Sequence, residues 1–169
     1  DVTHVAAAHD GNIWLSTYWQ GIDYLDKRTG RFTHYNTSTV EGLPDNQLWT
    51  VLDGGDGNLY AGHVRHGFSV ISIREKTAVN YMPQSGNPHS LEGSEVNCIY
   101  QDNAGRIWVG TERGVMLFDA STRRFYRLTD KDRRLSHPVL DIRQTSDNRI
   151  WIALDFGGIA ILDLSYSGF

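Results

Sequence analysis

The chain has 169 residues, 40% hydrophobic and 21% charged, which suits one ordinary globular domain and excludes a disordered chain. Its formal net charge of −4 argues against a nucleic-acid partner, which wants a basic face, and no apolar run approaches the roughly 20 residues that span a bilayer. The single cysteine, Cys98, excludes an internal disulfide and leaves the redox compartment open.

Asp1 leads straight into a strand-like segment with no leader pattern, so an exported form would have lost its leader or been cut from something longer. Short runs of β-formers then alternate with Gly-, Asn- and Asp-rich turns along the whole chain. A first group of predicted strands runs Val2 to Ala8, Ile13 to Thr17, Ile22 to Leu25 and Phe32 to Tyr35. A second runs Leu48 to Leu52, Leu59 to Gly62, Phe68 to Ile73 and Ala78 to Tyr81. A third runs Val96 to Gln101, Ile107 to Thr111, Val115 to Phe118 and Phe125 to Leu128. A fourth has Val139 to Gln144, Ile150 to Ala153 and Ile159 to Leu164, with little chain left for an outer strand. Helical periodicity is absent, and no helix is required anywhere.

The four groups repeat one pattern. Trp14, Tyr60, Trp108 and Trp151 stand 46, 48 and 43 residues apart, and Gly21, Gly67, Gly114 and Gly158 keep the same beat. A period in the forties with several strands per repeat is the signature of β-propeller blades. The fold expected is all-β: blades of about four antiparallel strands, over residues 1–46, 47–94, 95–137 and 138–169, the last incomplete. Since nothing before Val2 supplies the missing strand, the four blades are expected to be part of a larger propeller or to pair with another copy through their open ends. First strands share apolar positions three apart, such as Val2 with Val5 and Leu48 with Val51.

Strands of a blade alternate direction, so the turn between second and third strands lies on the same face as the link to the next blade. That face carries the longer, variable segments, and ligand-binding residues are expected there. The candidates are Tyr18, Trp19, Arg65, His66, Glu112, Arg113, Asp155 and Phe156. Tyr18 and Trp19 offer aromatic faces to a sugar ring; Arg65, His66 and Arg113 offer partners for a carboxylate or sulfate. Packing over the next blade is the competing role for Trp19. His63 and His66 lack the further ligands that zinc needs and read as a strand-end pair without metal. His4, Thr50, Cys98 and Asp141 occupy equivalent places and read as polar filling near the axis. The basic run Arg123, Arg124, Arg127, Lys131, Arg133 and Arg134 reads as a solvated outer strand and loop. No nucleophile elbow, phosphate loop or paired metal motif is present. No catalytic residue, cofactor or metal is therefore expected, although acid–base pairs drawn from different blades would leave no local motif.

The stretch DNAGRIWVGTERGVMLFD closely resembles the two-component regulator propeller repeat, through Asp102, Gly105, Ile107, Trp108, Gly110, Thr111 and Gly114. The first copy matches at Gly11, Ile13, Trp14, Thr17 and Gly21; Tyr60 replaces Trp in the second, and Ala153-Leu154 replaces Gly-Thr in the fourth. Leu43-Pro44-Asp45-Asn46 and Ser90-Leu91 resemble the family's connector between blades. The resemblance implies the periplasmic sensor region of a hybrid two-component system, with propellers of about seven blades ahead of a membrane helix and a histidine kinase. It implies sensing of glycan breakdown products, with an oligosaccharide as ligand and the rest of the propeller as partner. The repeat itself is scaffold and transfers no ligand residue. Two other readings compete: a lyase of the streptogramin type, whose resemblance would imply convergent His and Glu on one face and magnesium, and a pure interaction scaffold.

Overall fold

The computed structural model describes residues 1–131 and 133–165. Their strands form four antiparallel sheets, each laid out in chain order from an innermost strand. The first sheet is β1 (Val2–Ala7), β2 (Ile13–Thr17), β3 (Ile22–Asp26) and β4 (Arg31–Tyr35). The second is β5 (Leu48–Asp53), β6 (Asn58–His63), β7 (Phe68–Ser72) and β8 (Thr77–Tyr81). The third is β9 (Val96–Gln101), β10 (Ile107–Thr111), β11 (Gly114–Asp119) and β12 (Arg124–Arg127). The fourth holds β13 (Val139–Gln144), β14 (Arg149–Leu154) and β15 (Gly158–Asp163). Each predicted strand is found within one residue of its expected ends. The expectation that the fourth blade stops without an outer strand extends over residues 166–169, which lie outside those described.

A single 3-10 turn, Arg134–Ser136, sits in the link ahead of β13. It sinks Leu135 into the core between the third and fourth sheets, and Asp130 Oδ1 accepts the Leu135 N–H at 3.1 Å. A link that must bury one apolar residue and satisfy its backbone within a few positions gains from one helical turn.

The sheets stack face to face through three apolar cores. Trp14 and Ile22 pack on Leu48, Val51 and Leu59; Tyr60 and Phe68 on Val96, Ile99 and Ile107; Trp108 and Val115 on Val139, Ile142 and Ile150. The repeat's aromatic residue thus always faces the following sheet. At the ends of the stack the same positions lie open. Trp151 is 36% exposed where Trp108 is fully buried, and Ile159 and Ile161 are exposed beside it. Val2 and Val5 are exposed although their counterparts in the other three innermost strands are buried. The stack does not close on itself and carries an apolar face at each end.

The polar edge of each central aromatic finds its own acceptor. Trp108 Nε1 donates to Asp102 Oδ2 at 2.9 Å, Trp151 Nε1 to Thr145 Oγ1 at 3.1 Å and Tyr60 Oη to Asp56 Oδ2 at 3.0 Å. In the first repeat Ala8 stands where Asp102 and Thr145 stand, so Trp14 Nε1 reaches across to Asp53 of the next sheet at 3.1 Å. Asp102 also accepts Arg106 Nε at 2.6 Å. Burial pushes the Asp102 carboxyl up, but the bonds from Trp108 and Arg106 outweigh it and hold it below the usual carboxylate range. Its contribution is therefore complete above the unfolded carboxylate pKa of about 3.9 and is lost as pH falls through the lower folded value. Asp102→Asn is expected to show a shallower loss of stability between about pH 4 and pH 2 than the parent chain, measured by urea denaturation at each pH. Parallel slopes would contradict this role.

Candidate functional site

Each innermost strand carries a β-bulge at its second residue. Val2 pairs with Thr17 and His4 with Ser16, leaving Thr3 extra; Trp49, Asn97 and Leu140 are the extra residues of β5, β9 and β13. A bulge re-aims the side chain it carries. Here the four bulge residues converge. Thr3, Trp49, Asn97 and Leu140, one from each sheet, line a cavity of about 480 Å³ at the mouth of the axis, with Glu95, Glu112, Pro138 and Asp155. Two of the four also stitch neighbouring sheets: Thr3 Oγ1 donates to Leu48 O at 2.8 Å and Asn97 Nδ2 to Val139 O at 3.0 Å. Trp49 makes no such bond, and its Nε1 is buried without a partner.

The loop face is the one expected. Gly21 N donates to Asn46 O and Gly67 N to Ser94 O, which joins the β2–β3 and β6–β7 turns to the links between sheets. Of the candidate residues, Glu112 and Asp155 line the axial cavity itself. Tyr18 packs edge-on to Trp49 at 5.5 Å and to Trp19 at 4.7 Å, so an aromatic cluster stands at the cavity's rim with Trp19 61% exposed. Arg113 lines a second cavity of about 550 Å³, again with Glu112, under the link of residues 83–94. Arg65 is exposed on the β6–β7 turn, and Phe156 is 95% exposed; neither lines these two cavities. The carboxylate of Glu112 accepts the backbone N–H groups of Ser94 at 2.9 Å and Glu95 at 3.1 Å, so it anchors the link as well as walling the cavity.

His66 is tied to Asp45 rather than free on the loop. Asp45 comes from the link before β5 and binds two imidazoles: Oδ1 takes His63 Nδ1 at 2.7 Å and Oδ2 takes His66 Nδ1. The row continues inward, with His63 Nε2 on Ser69 Oγ at 2.8 Å and Asn80 Nδ2 donating to Ser69 Oγ at 3.1 Å. Because Asn80 donates, the Ser69 hydroxyl hydrogen is available to His63 Nε2, and His63 carries its own proton on Nδ1. Ser69, His63 and Asp45 thus form the hydrogen-bonded row of a hydrolase triad, but Ser69 and His63 are fully buried, so no substrate reaches the hydroxyl. The row is a strut that fixes the link. Burial pushes the Asp45 carboxyl up, while His63, His66 and the Gln47 N–H together hold it below the ordinary range. Among the described residues no group of three His, Cys, Asp or Glu side chains is placed to hold a metal.

Deeper along the axis, Thr50 and Cys98 are buried, Cys98 with its thiol pushed up to about 12 by burial, and Asp141 pairs with Arg143 at 2.7 Å. The basic run is partly occupied: Arg127 pairs with Glu92 and Arg134 donates to Ile159 O. Sequence reasoning missed Glu95 and the four bulge residues. One signal pointed to the latter. Side chains of a regular strand share a face every second residue, so buried pairs three apart, such as Leu48 with Val51, require one extra residue between them.

Comparison with known proteins places this geometry. A family model described as two component regulator propeller matches residues 90–113. No curated protein matches the chain. A solved extracellular domain described as that of the hybrid two component system BT3049 of B. thetaiotaomicron superposes with a TM-score of 0.84 at 42% identity, covering 98% of this chain and 21% of that one. The corresponding domain of BT4673 from the same organism gives 0.69 at 18% identity, over 99% of this chain and 25% of that one. The WD40 propeller domain of Doa1 gives 0.70 at 11% identity, over 95% and 50%. The last two likenesses are of fold alone. The chain spans about a fifth of the first extracellular domain and a quarter of the second. Its four unclosed sheets are a segment of a larger propeller.

Proposed function

We propose, for a chain that carries the two component regulator propeller repeat, that it is a ligand-reading segment in the extracellular or periplasmic sensor region of a hybrid two-component system. The ligand is an oligosaccharide, and its arrival is passed to a histidine kinase without turnover. The observation that carries this reading is the axial cavity, to which all four sheets contribute a bulge residue and whose rim holds Tyr18, Trp19 and Trp49. Aromatic faces beside carboxylates, an amide and a hydroxyl suit a polyhydroxylated ring, which offers apolar C–H faces and many hydrogen-bonding groups. The similarity to solved extracellular domains of hybrid systems supports the same setting. The apolar end faces, with Val2 and Val5 at one side and Trp151, Ile159 and Ile161 at the other, are covered by further blades of a longer chain, which would repeat the packing seen three times within this one.

Trp19→Ala is the direct test, because Trp19 is exposed and its loss leaves the three cores intact. Calorimetric titration against a panel of glycan fragments should show affinity lowered roughly tenfold with an unchanged melting temperature. Unchanged affinity for every fragment that binds the parent chain would remove Trp19 from the site, and consumption of a fragment would replace the sensor by an enzyme.

A further inference from the structure

We propose that the loop face is electrostatically two-sided about Glu112, so that a bound glycan lies with its acidic group at Arg113 and its neutral end over the axis. This rests on the glycan reading above and adds the class of ligand: an oligosaccharide carrying a uronate or sulfate beside neutral sugars.

The axial cavity and the larger one beside it share Glu112 as a common wall. Both carboxylate oxygens of Glu112 are held by backbone N–H groups, so the wall is fixed rather than a mobile side chain. On the axial side stand Glu95 and Asp155. Among the described residues neither has an ion-pair partner, and no Lys or Arg lines that cavity. An anionic sugar there would meet two uncompensated carboxylates in a partly shielded space, where like charges repel more strongly than in bulk water.

The lateral side differs in holding cations. Arg113 is exposed and has no ion-pair partner among the described residues. The one other acid there, Glu92, is neutralised by Arg127 at 2.5 Å. The remaining wall includes Gln84, Asn87 and Ser90, whose amides and hydroxyls match sugar hydroxyls. A free guanidinium is the group that grips a planar carboxylate or a sulfate through two parallel hydrogen bonds. Counting Glu112, which walls both cavities, the axial side is uniformly acidic, whereas on the lateral side Glu92 and Glu112 are balanced by Arg127 and Arg113. An acidic group is repelled on one side and meets an accessible guanidinium on the other, and that difference gives a bound chain its direction.

The test uses a matched pair of disaccharides, one ending in a uronate and one with that carboxyl reduced to the alcohol, titrated into the parent chain, Arg113→Gln and the double variant Glu95→Gln with Asp155→Asn. The parent should prefer the uronate. Arg113→Gln should weaken the uronate at least tenfold and leave the alcohol within twofold. The double variant should improve binding of a disaccharide acidic at both ends, which the parent binds poorly. Melting temperatures of all variants should match, since the three side chains lie outside the cores. Equal weakening of both sugars by Arg113→Gln, or no gain in the double variant, overturns the proposal while leaving glycan binding standing. Absence of any glycan binding by the parent chain overturns both readings together.

Discussion

Trp108→Ala should cost the isolated chain about 3–5 kcal/mol of unfolding free energy, close to the whole stability of many domains, while Trp151→Ala should cost about 1 kcal/mol. The two residues hold the same repeat position and differ in what lies in front of them and in the acceptor of the indole N–H. Trp108 is fully buried between the third and fourth sheets against Val139, Ile142 and Ile150. Its loss opens a cavity that sheet-on-sheet packing cannot refill, and it takes from the buried Asp102 carboxylate the indole donor at 2.9 Å. Trp151 has its donor bond to Thr145 but, among the described residues, no sheet beyond it, so truncation removes far less buried area. Urea denaturation of both variants measures the difference. Equal losses would mean that the aromatic residue does not act between blades.

Gly67→Ala is the second large effect, with an expected loss of about 2–4 kcal/mol against about 1 kcal/mol for Gly158→Ala. Both glycines open the third strand of their blade at nearly the same left-handed backbone angle, φ +70° and +69°, where a side chain is disfavoured. They differ in their surroundings. A Cβ on Gly67 would lie 2.2 Å from the backbone oxygen of Tyr81 at the end of β8, with Leu91 and Met82 also at 3.0 Å. A backbone atom held in a sheet cannot step aside, so strand and link must shift. A Cβ on Gly158 meets nothing within 4 Å, leaving only the conformational penalty. Gly21 and Gly114 make the same close approach, to Tyr35 O and Leu135 O, so the recurring glycine marks where the outer strand or link passes against the turn. Equal losses for the two variants would refute this account.

The blade pattern was legible because its determinants are local. The short apolar run of β-formers in Ile107–Thr111, the glycine that opens the next strand, and the Asp or Thr that caps the central aromatic all lie within a dozen residues of one another. The loop face followed from strand direction alone. What depends on distant partners was not legible in the same way. Nothing near His63 announces that Asp45, eighteen residues earlier, will bind both it and His66. Glu112 reads as a ligand candidate, but nothing near it announces that its carboxylate also takes the amides of Ser94 and Glu95. The bulge residues Thr3, Trp49, Asn97 and Leu140 share no chemistry, so no motif connects them; only the pairing of each innermost strand with its neighbour reveals that each is extra and turned toward one axis. A repeat that conserves its scaffold while varying the bulge residue is suited to reading different ligands on one frame.

The central claim is rotational: equivalent positions in successive sheets are related by one repeated turn about an axis. Paired spin labels on Arg28, Arg74 and Ser121, which occupy the same outer turn of the first three blades, test it most directly. Cys98 is buried with its thiol pushed up to about 12, so it stays unlabelled at neutral pH. The distances 28–74 and 74–121 should agree within the spread of the labels, and 28–121 should be longer than either but clearly shorter than their sum. Unequal neighbour distances, or a 28–121 distance equal to the sum, would contradict the arrangement of sheets around an axis.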